Sequence, residues 1–218
     1  MICKNPDYSL YLVTDRGLSR GRKTSEIVRA AVRGGVRCVQ LREKNCSARE
    51  FIQEALSVRD FLKEQGVPLI INDRLDIAQA VQADGIHLGQ SDIPLKMAKK
   101  IVGNSMLVGI SAESLENALT AEKDGADYLG VGPVFSTATK TDTAPPLGFA
   151  ELRRIREAVK IPLVGIGGLN RKNAGEVIKN GADGVAVVSA IVSAPDPAAA
   201  AGELIAAIAK AKALQCNV

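Results

Sequence analysis

Eight short apolar runs, spaced along the whole chain, constrain the fold more than any other feature. They are YSLYLVTD (8–15), RCVQLRE (37–43), PLIIND (68–73), GIHLG (85–89), MLVGIS (106–111), ADYLGV (126–131), IPLVGIGG (161–168) and DGVAVVSA (183–190). Seven of them run closely into an amphipathic stretch, such as SAREFIQEALSVRDFLKEQG or SLENALTAEKDG, in which apolar residues recur at spacings of three and four. After the sixth run the helix FAELRRIREAVK is delayed by a long irregular segment. The strands are near-continuously apolar, which suits a parallel sheet covered on its outer face.

The units also repeat one another. QADGIHLG, DGADYLGV and NGADGVAVV each set Gly, Ala or Asp between a helix end and a strand, and glycine there supplies the left-handed cap that stops a helix. Eight such βα units imply an α/β fold, a (β/α)8 TIM barrel forming a single domain over residues 1–218. A doubly wound open sheet is the alternative. No linker or low-complexity segment divides the chain; PDPAAAAGELIAAIAKAKAL reads as a last helix outside the barrel, with QCNV frayed beyond it.

With 218 residues, 46% of them apolar, the chain is long enough for a full core. No apolar run approaches the roughly 18 to 20 residues that cross a bilayer. The opening MICKNPDYSLYLVTDR lacks the regions of a signal peptide, so a cytoplasmic location is the expectation and a membrane partner is not. Cys3, Cys38, Cys46 and Cys216 make no CxxC pair and have no cluster of histidines beside them, so reduced thiols are expected, with Cys38 in the core. A net charge of +4, scattered basic residues, 3% aromatics and no Trp provide poorly for nucleic acid and better for small anionic substrates. Homo-oligomerisation stays open.

In a barrel of this kind the active site lies at the C-terminal ends of the strands. Strand two ends QLREK, putting Gln40, Arg42 and Lys44 at alternate positions on one side, where they can meet a bound anion if that side faces inward. Otherwise they are a solvated strand end partnered by Glu43. Asp73 after strand three and Asp92 after strand four belong to adjacent strands and can meet over the rim. Two carboxylates without His or Cys beside them suit Mg²⁺ shared with a substrate phosphate; taken singly, each Asp can equally cap a helix. Asn72 is a ligand or a turn residue, and Ser111 a ligand or a cap for the next helix, as Ser114 also can be. The one histidine, His87, reads as a packed, hydrogen-bonded barrel residue rather than a base.

Strand seven ends VGIGGLN, without dinucleotide-fingerprint spacing because Arg171 stands where the last Gly is needed. Gly167 and Gly168, set before a helix, nevertheless offer backbone N–H groups to a phosphate, and Ser189 ends strand eight beside them. Between the two anion sites falls GPVFSTATKTDTAPPLG, in which strand six is expected to run to Phe135. Irregular segments of this length tend to be lids or disordered. A lid over about 135–148 would bring Thr137, Thr139 and Lys140 over the substrate.

The combination QLREK, NDR, HLGQSD, GVGPVFSTATK, GIGG and VSAI resembles the thiamine-phosphate synthase family, over nearly the whole chain from YLVTDR to VSAIVSAPDP. The resemblance implies a Mg²⁺-dependent transferase that joins a hydroxymethylpyrimidine diphosphate to a thiazole phosphate and releases diphosphate. It implies that Gln40, Leu41, Arg42, Glu43, Lys44, Asn72, Ser111 and Lys140 surround the pyrimidine diphosphate, with Asp73 and Asp92 on the metal. Thr137, Ala138, Thr139, Gly168, Val188 and Ser189 would contact the thiazole phosphate. Arg42, Lys44 and Lys140 would carry catalysis by matching charge on the departing diphosphate. The rival readings are a thiazole tautomerase-like barrel and a non-catalytic sensor of a thiamine precursor.

Overall fold

The computed structural model describes residues 6–137 and 145–215. Strands β1 (Leu10–Val13), β2 (Cys38–Leu41), β3 (Leu69–Asn72), β4 (Gly85–Leu88), β5 (Leu107–Ala112), β6 (Tyr128–Val131), β7 (Leu163–Gly165) and β8 (Gly184–Val187) pair in parallel and in sequence order. β8 closes on β1, with Tyr11 opposite Ala186, so the sheet is a closed barrel and, among the described residues, no strand is left as an edge.

Alternation along each strand divides the apolar residues into two cores. Leu10, Leu12, Val39, Leu41, Leu69, Ile71, Ile86 and Leu88 point outward and pack against helix residues such as Ile27, Phe51, Val58 and Leu204. Tyr11, Val13, Cys38, Ile70, Leu107, Tyr128, Val164 and Ala186 point inward and fill the barrel. Each fully buried Leu or Ile contributes about 1.5–3 kcal/mol, which is why runs apolar at every position specify a strand covered on both faces. The inward positions nearer the strand C-termini are instead polar or small: Gln40, Asn72, His87, Ser111 and Gly130. That exchange opens the mouth of the barrel.

The repeated Asp before three strands has one physical purpose. Asp84 Oδ2 accepts from Leu69 N at 2.9 Å, Asp127 Oδ2 from Val108 N at 2.6 Å, and Asp183 Oδ2 from Leu163 N at 2.8 Å. Each carboxylate thus takes up the free amide at the start of the preceding strand, on the rim away from the site. The residue two before it ends a helix at positive φ: Gly125 at 90°, Gly181 at 101°, and at the third site Gln82 at 52°.

Helix α2 (Ala48–Glu64) starts with a capping box, Ser47 accepting from Glu50 N at 3.3 Å while Ser47 N donates to Glu50 Oε2 at 2.8 Å. The alanine-rich end forms α9 (Pro197–Gln215), which packs on α1 (Thr24–Arg33) and α7 (Ala174–Lys179). Small residues are required there: a Cβ at Gly34 would lie 2.2 Å from the Ala198 carbonyl oxygen. A four-residue helix, α8 (Ser189–Val192), comes between β8 and α9.

Two boundaries differ from the sequence reading. β6 ends at Val131, short of Phe135, because from Val134 onward the backbone turns to β7's loop, with Val134 N donating to Ile166 O at 2.8 Å and Phe135 N to Gly167 O at 3.2 Å. And Gly167 and Gly168 do not abut a helix, since α7 begins at Ala174 after a turn in which Asn173 Oδ1 accepts from Asn170 N at 2.8 Å. The turn satisfies its own amides through asparagine side chains, so the helix starts later.

Candidate active site

A cavity of about 770 Å³ opens at the C-terminal ends of the strands. Gln40, Arg42, Lys44, Asn72, Asp73, Asp92, Ser111, Thr137, Gly168, Val188 and Ser189 all line it. Leu41 and Glu43 do not, because strand alternation turns them to the other face. Leu41 is in the outer core, and Glu43 is buried with its Oε2 3.4 Å from Arg16 Nε and its Oε1 unpartnered among the described residues. Burial pushes the Glu43 carboxyl up against the pull of Arg16. Ala138, Thr139 and Lys140 lie outside the described residues.

The described residues on either side of 138–144 are nonetheless fixed. Leu147 N donates to Pro133 O at 2.8 Å and Gly148 N to Val134 O at 3.2 Å, while the Phe135 and Phe149 rings meet edge-on at 5.3 Å. These flanking residues are therefore held together at one point of the barrel, next to the β7 loop. Gly168 is needed there: at φ 66°, its Cβ would stand 2.6 Å from Ser136 O.

On one side of the cavity cations and carboxylates interleave. Arg42 Nη1 donates to Asp15 Oδ2 at 3.1 Å, and Arg42 N to Thr14 Oγ1 at 3.0 Å, so β1 aims the guanidinium. Lys44 Nζ reaches Asp73 Oδ2 at 2.5 Å. Asp73 stands at φ 61°, a left-handed conformation that costs a non-glycine residue about 1–3 kcal/mol and clusters at functional sites. The Asp92 carboxyl lies in hydrogen-bonding range of Asp73 and accepts from Gly89 N at 2.6 Å. Burial pushes its acidity down, raising its pKa against the pull of the Gly89 amide, and Asp73 pushes the same way. Neither Asp caps a helix, since the first residues of α3 (Leu75–Ala80) and α4 (Leu95–Val102) have no side-chain cap.

Two facing carboxylates favour a proton or a cation between them, and an all-oxygen pair fits a hard ion such as Mg²⁺. Among the described residues no group of three or more His, Cys, Asp and Glu side chains forms a closed metal cage. The pair alone leaves coordination positions for water and a substrate's oxygens. Opposite, among the described residues, no backbone acceptor takes the N–H groups of Gly167 and Gly168, and the loop after β8 brings Ser189 to the same wall.

The floor holds residues that sequence reasoning did not single out or set aside as packing. Tyr11, Tyr128 and His87 line it, the last two in contact with 5.5 Å between ring centroids. Ser111 is not the cap of α5 (Leu115–Lys123); Ser114 is, accepting from Asn117 N at 3.1 Å. Ser111 Oγ is instead 3.0 Å from His87 Nε2. Burial pushes the imidazole down to about 4, against the pull of Asp73, so the ring is neutral at physiological pH. Alternation would have placed both tyrosines inside the barrel, but nothing local marked them as part of a site.

The family described as thiamine monophosphate synthase matches residues 10–191. The chain is 54% identical over 202 residues to the thiamine-phosphate synthase of Chloroflexus aurantiacus, covering 93% of each. It is 55% identical over 192 residues to that of Syntrophomonas wolfei, covering 88% of this chain and 92% of the relative. Among solved structures, the thiamine phosphate pyrophosphorylase of Pyrococcus furiosus superposes with a TM-score of 0.88 at 43% identity, over 94% of this chain and 98% of that one. With fold and near-full-length likeness in agreement, the chain belongs to the thiamine monophosphate synthase family.

Proposed function

We propose that the protein condenses 4-amino-5-hydroxymethyl-2-methylpyrimidine diphosphate with 4-methyl-5-(2-phosphoethyl)thiazole, releasing diphosphate and forming thiamine phosphate. The observation that carries this reading is that one cavity has two walls with groups suited to an anion. Arg42, Lys44 and the Asp73–Asp92 pair stand on one, and Gly167, Gly168 and Ser189 on the other.

The reaction is a dissociative substitution. The bond from the pyrimidine methylene to the diphosphate oxygen breaks, its electron pair leaves with the diphosphate, and the thiazole nitrogen lone pair closes the new C–N bond. No protein nucleophile is required. Arg42 and Lys44 neutralise charge that grows on the leaving group, and they do so in a cavity partly screened from water, where such contacts are strongest. The glycine amides and Ser189 hold the thiazole phosphate so that its nitrogen faces the methylene, replacing a bimolecular encounter by alignment. Thr137 lines the cavity, and with it Thr139 and Lys140 would grip the substrates and exclude water from the cation. Asp73 and Asp92 would hold Mg²⁺, which supplies further charge neutralisation at the diphosphate when bound. A cytoplasmic location accords with small phosphorylated substrates, and among the described residues no helix is long and apolar enough to cross a membrane.

The test is to mix purified protein, both substrates and Mg²⁺, with and without chelator, and to follow thiamine phosphate by mass. Metal-dependent product is expected. A folded protein that binds the thiazole phosphate but makes no product would overturn the reading.

A further inference from the structure

Five side chains from five strands form a continuous hydrogen-bonded relay across the cavity floor. Gln40 Nε2 donates to Tyr11 OH at 3.0 Å; the Tyr11 and Tyr128 hydroxyls are 2.9 Å apart; Tyr128 OH is 3.0 Å from His87 Nδ1; and His87 Nε2 is 3.0 Å from Ser111 Oγ. The strands carrying these residues are otherwise lined with apolar or glycine positions, and two glycines make the relay fit. A Cβ at Gly109 would lie 2.1 Å from the Tyr128 ring, and one at Gly130 would lie 2.9 Å from His87 Cε1.

The relay has a direction. An amide nitrogen only donates, so the Tyr11 oxygen is an acceptor from Gln40. If Tyr11 then donates to Tyr128, and Tyr128 to His87 Nδ1, every hydroxyl hydrogen meets an oxygen or nitrogen. Reversing the middle of the chain would leave the Tyr11 hydrogen only the Cys38 sulfur among the described residues, a weak acceptor. A neutral imidazole that accepts at one nitrogen donates at the other. We propose that His87, held by Tyr128 with its proton on Nε2, is a positioning residue that donates to Ser111 Oγ and turns the serine hydrogen into the cavity.

The floor then presents two fixed groups: an acceptor at Gln40 Oε1, which has no partner among the described residues, and a donor at Ser111. A 4-aminopyrimidine carries the complementary groups, an exocyclic N–H that donates and ring nitrogens that accept. A 4-oxopyrimidine puts a carbonyl oxygen in place of that donor and a hydrogen on one ring nitrogen. The relay is thus the specificity device for the amino ring, acting through residues that do not themselves contact the reacting atoms. The identity of this substrate rests on the synthase reading, whereas the tautomer of His87 does not.

The chain has one histidine, so untagged protein labelled with ¹⁵N-histidine reports a single ring. The free protein should show the proton on Nε2, and Tyr128→Phe or Tyr11→Phe should mix the two tautomers. A wild-type ring protonated on Nδ1 overturns the relay whatever the protein does with pyrimidines. In turnover, Tyr128→Phe should cut the kcat/KM preference for the 4-amino over the 4-oxo pyrimidine diphosphate by at least about tenfold, with KM for the thiazole phosphate unchanged. An unaltered preference in folded Tyr128→Phe would mean that the tyrosine only packs. If neither pyrimidine is turned over by protein with the Nε2–H ring, the substrate assignment falls and the relay stands.

Discussion

Arg42 and Lys44 show what a single residue contributes to the site. Both sit at alternate positions of one strand end, each with a carboxylate partner, Asp15 or Asp73, that fixes its head group in the free protein. Arg42→Ala should lower kcat by about 10²- to 10³-fold, the usual cost of losing one preorganised charge at a leaving group, as seen in single-turnover assays at saturating substrates. Lys140→Ala should slow the same step, and an unchanged rate would remove Lys140 from the proposed machinery. His87 adds a pH dependence of stability. Its folded value of about 4 lies below the unfolded 6.5, so between these pH values the unfolded chain binds a proton that the native chain refuses. The contribution is therefore complete above about pH 6.5, declines as the pH falls and is gone below about 4, a difference of about 3 kcal/mol. Urea titrations of wild type and His87→Gln at pH 7 and pH 4.5 should separate by a large part of that amount, with wild type losing more stability on acidification.

At the scale of elements, the Ala-Asp connection before β4, β6 and β8 does two jobs in three alternate units: with the residue before it, it ends a helix, and its Asp hydrogen-bonds the start of the neighbouring strand. The unit before β4 departs from the pattern, with Gln82 in the left-handed position where Gly125 and Gly181 stand in the others. Gln82→Gly should relieve that strain, offset in part by the freer unfolded chain, and raise stability by up to about 1 kcal/mol, seen as a rise in Tm. No change or a fall would show that the Gln82 side chain contributes more than its backbone costs. The same logic explains what was legible locally. Gln40, Arg42 and Lys44 were placed on one side by period two alone. The strand-six end was misjudged because VGPVF continues the apolar run, and only the contacts of Val134 and Phe135 with the β7 loop turn it aside.

Over the whole molecule, the barrel interior is divided between a packed lower half and a polar mouth, and glycine on neighbouring strands makes room for the rings between them. Gly109→Ala would drive a methyl into Tyr128 and should destabilise the fold by about 1–3 kcal/mol in denaturant titration while also disturbing the cavity floor. Full stability with an intact floor would show that the barrel can widen locally. Removing divalent cations should abolish turnover yet leave the Tm of the free protein unchanged, because the core and the strand pairing contain no metal-dependent contact among the described residues.

The chain's own residues determined the number of strands, their parallel order and the polar character of one end of the barrel, since these follow from hydrophobic period and helix-stop chemistry that act over a few residues. Closure of the sheet decided the rest. It brought Asp73 and Asp92 face to face, turned Leu41 and Glu43 away from the cavity, and joined Tyr11 to Tyr128 across 117 positions of sequence. Hydrogen bonds of that kind depend on which strands become neighbours across the barrel, and no local pattern encodes a distance between side chains that only the closed cylinder sets.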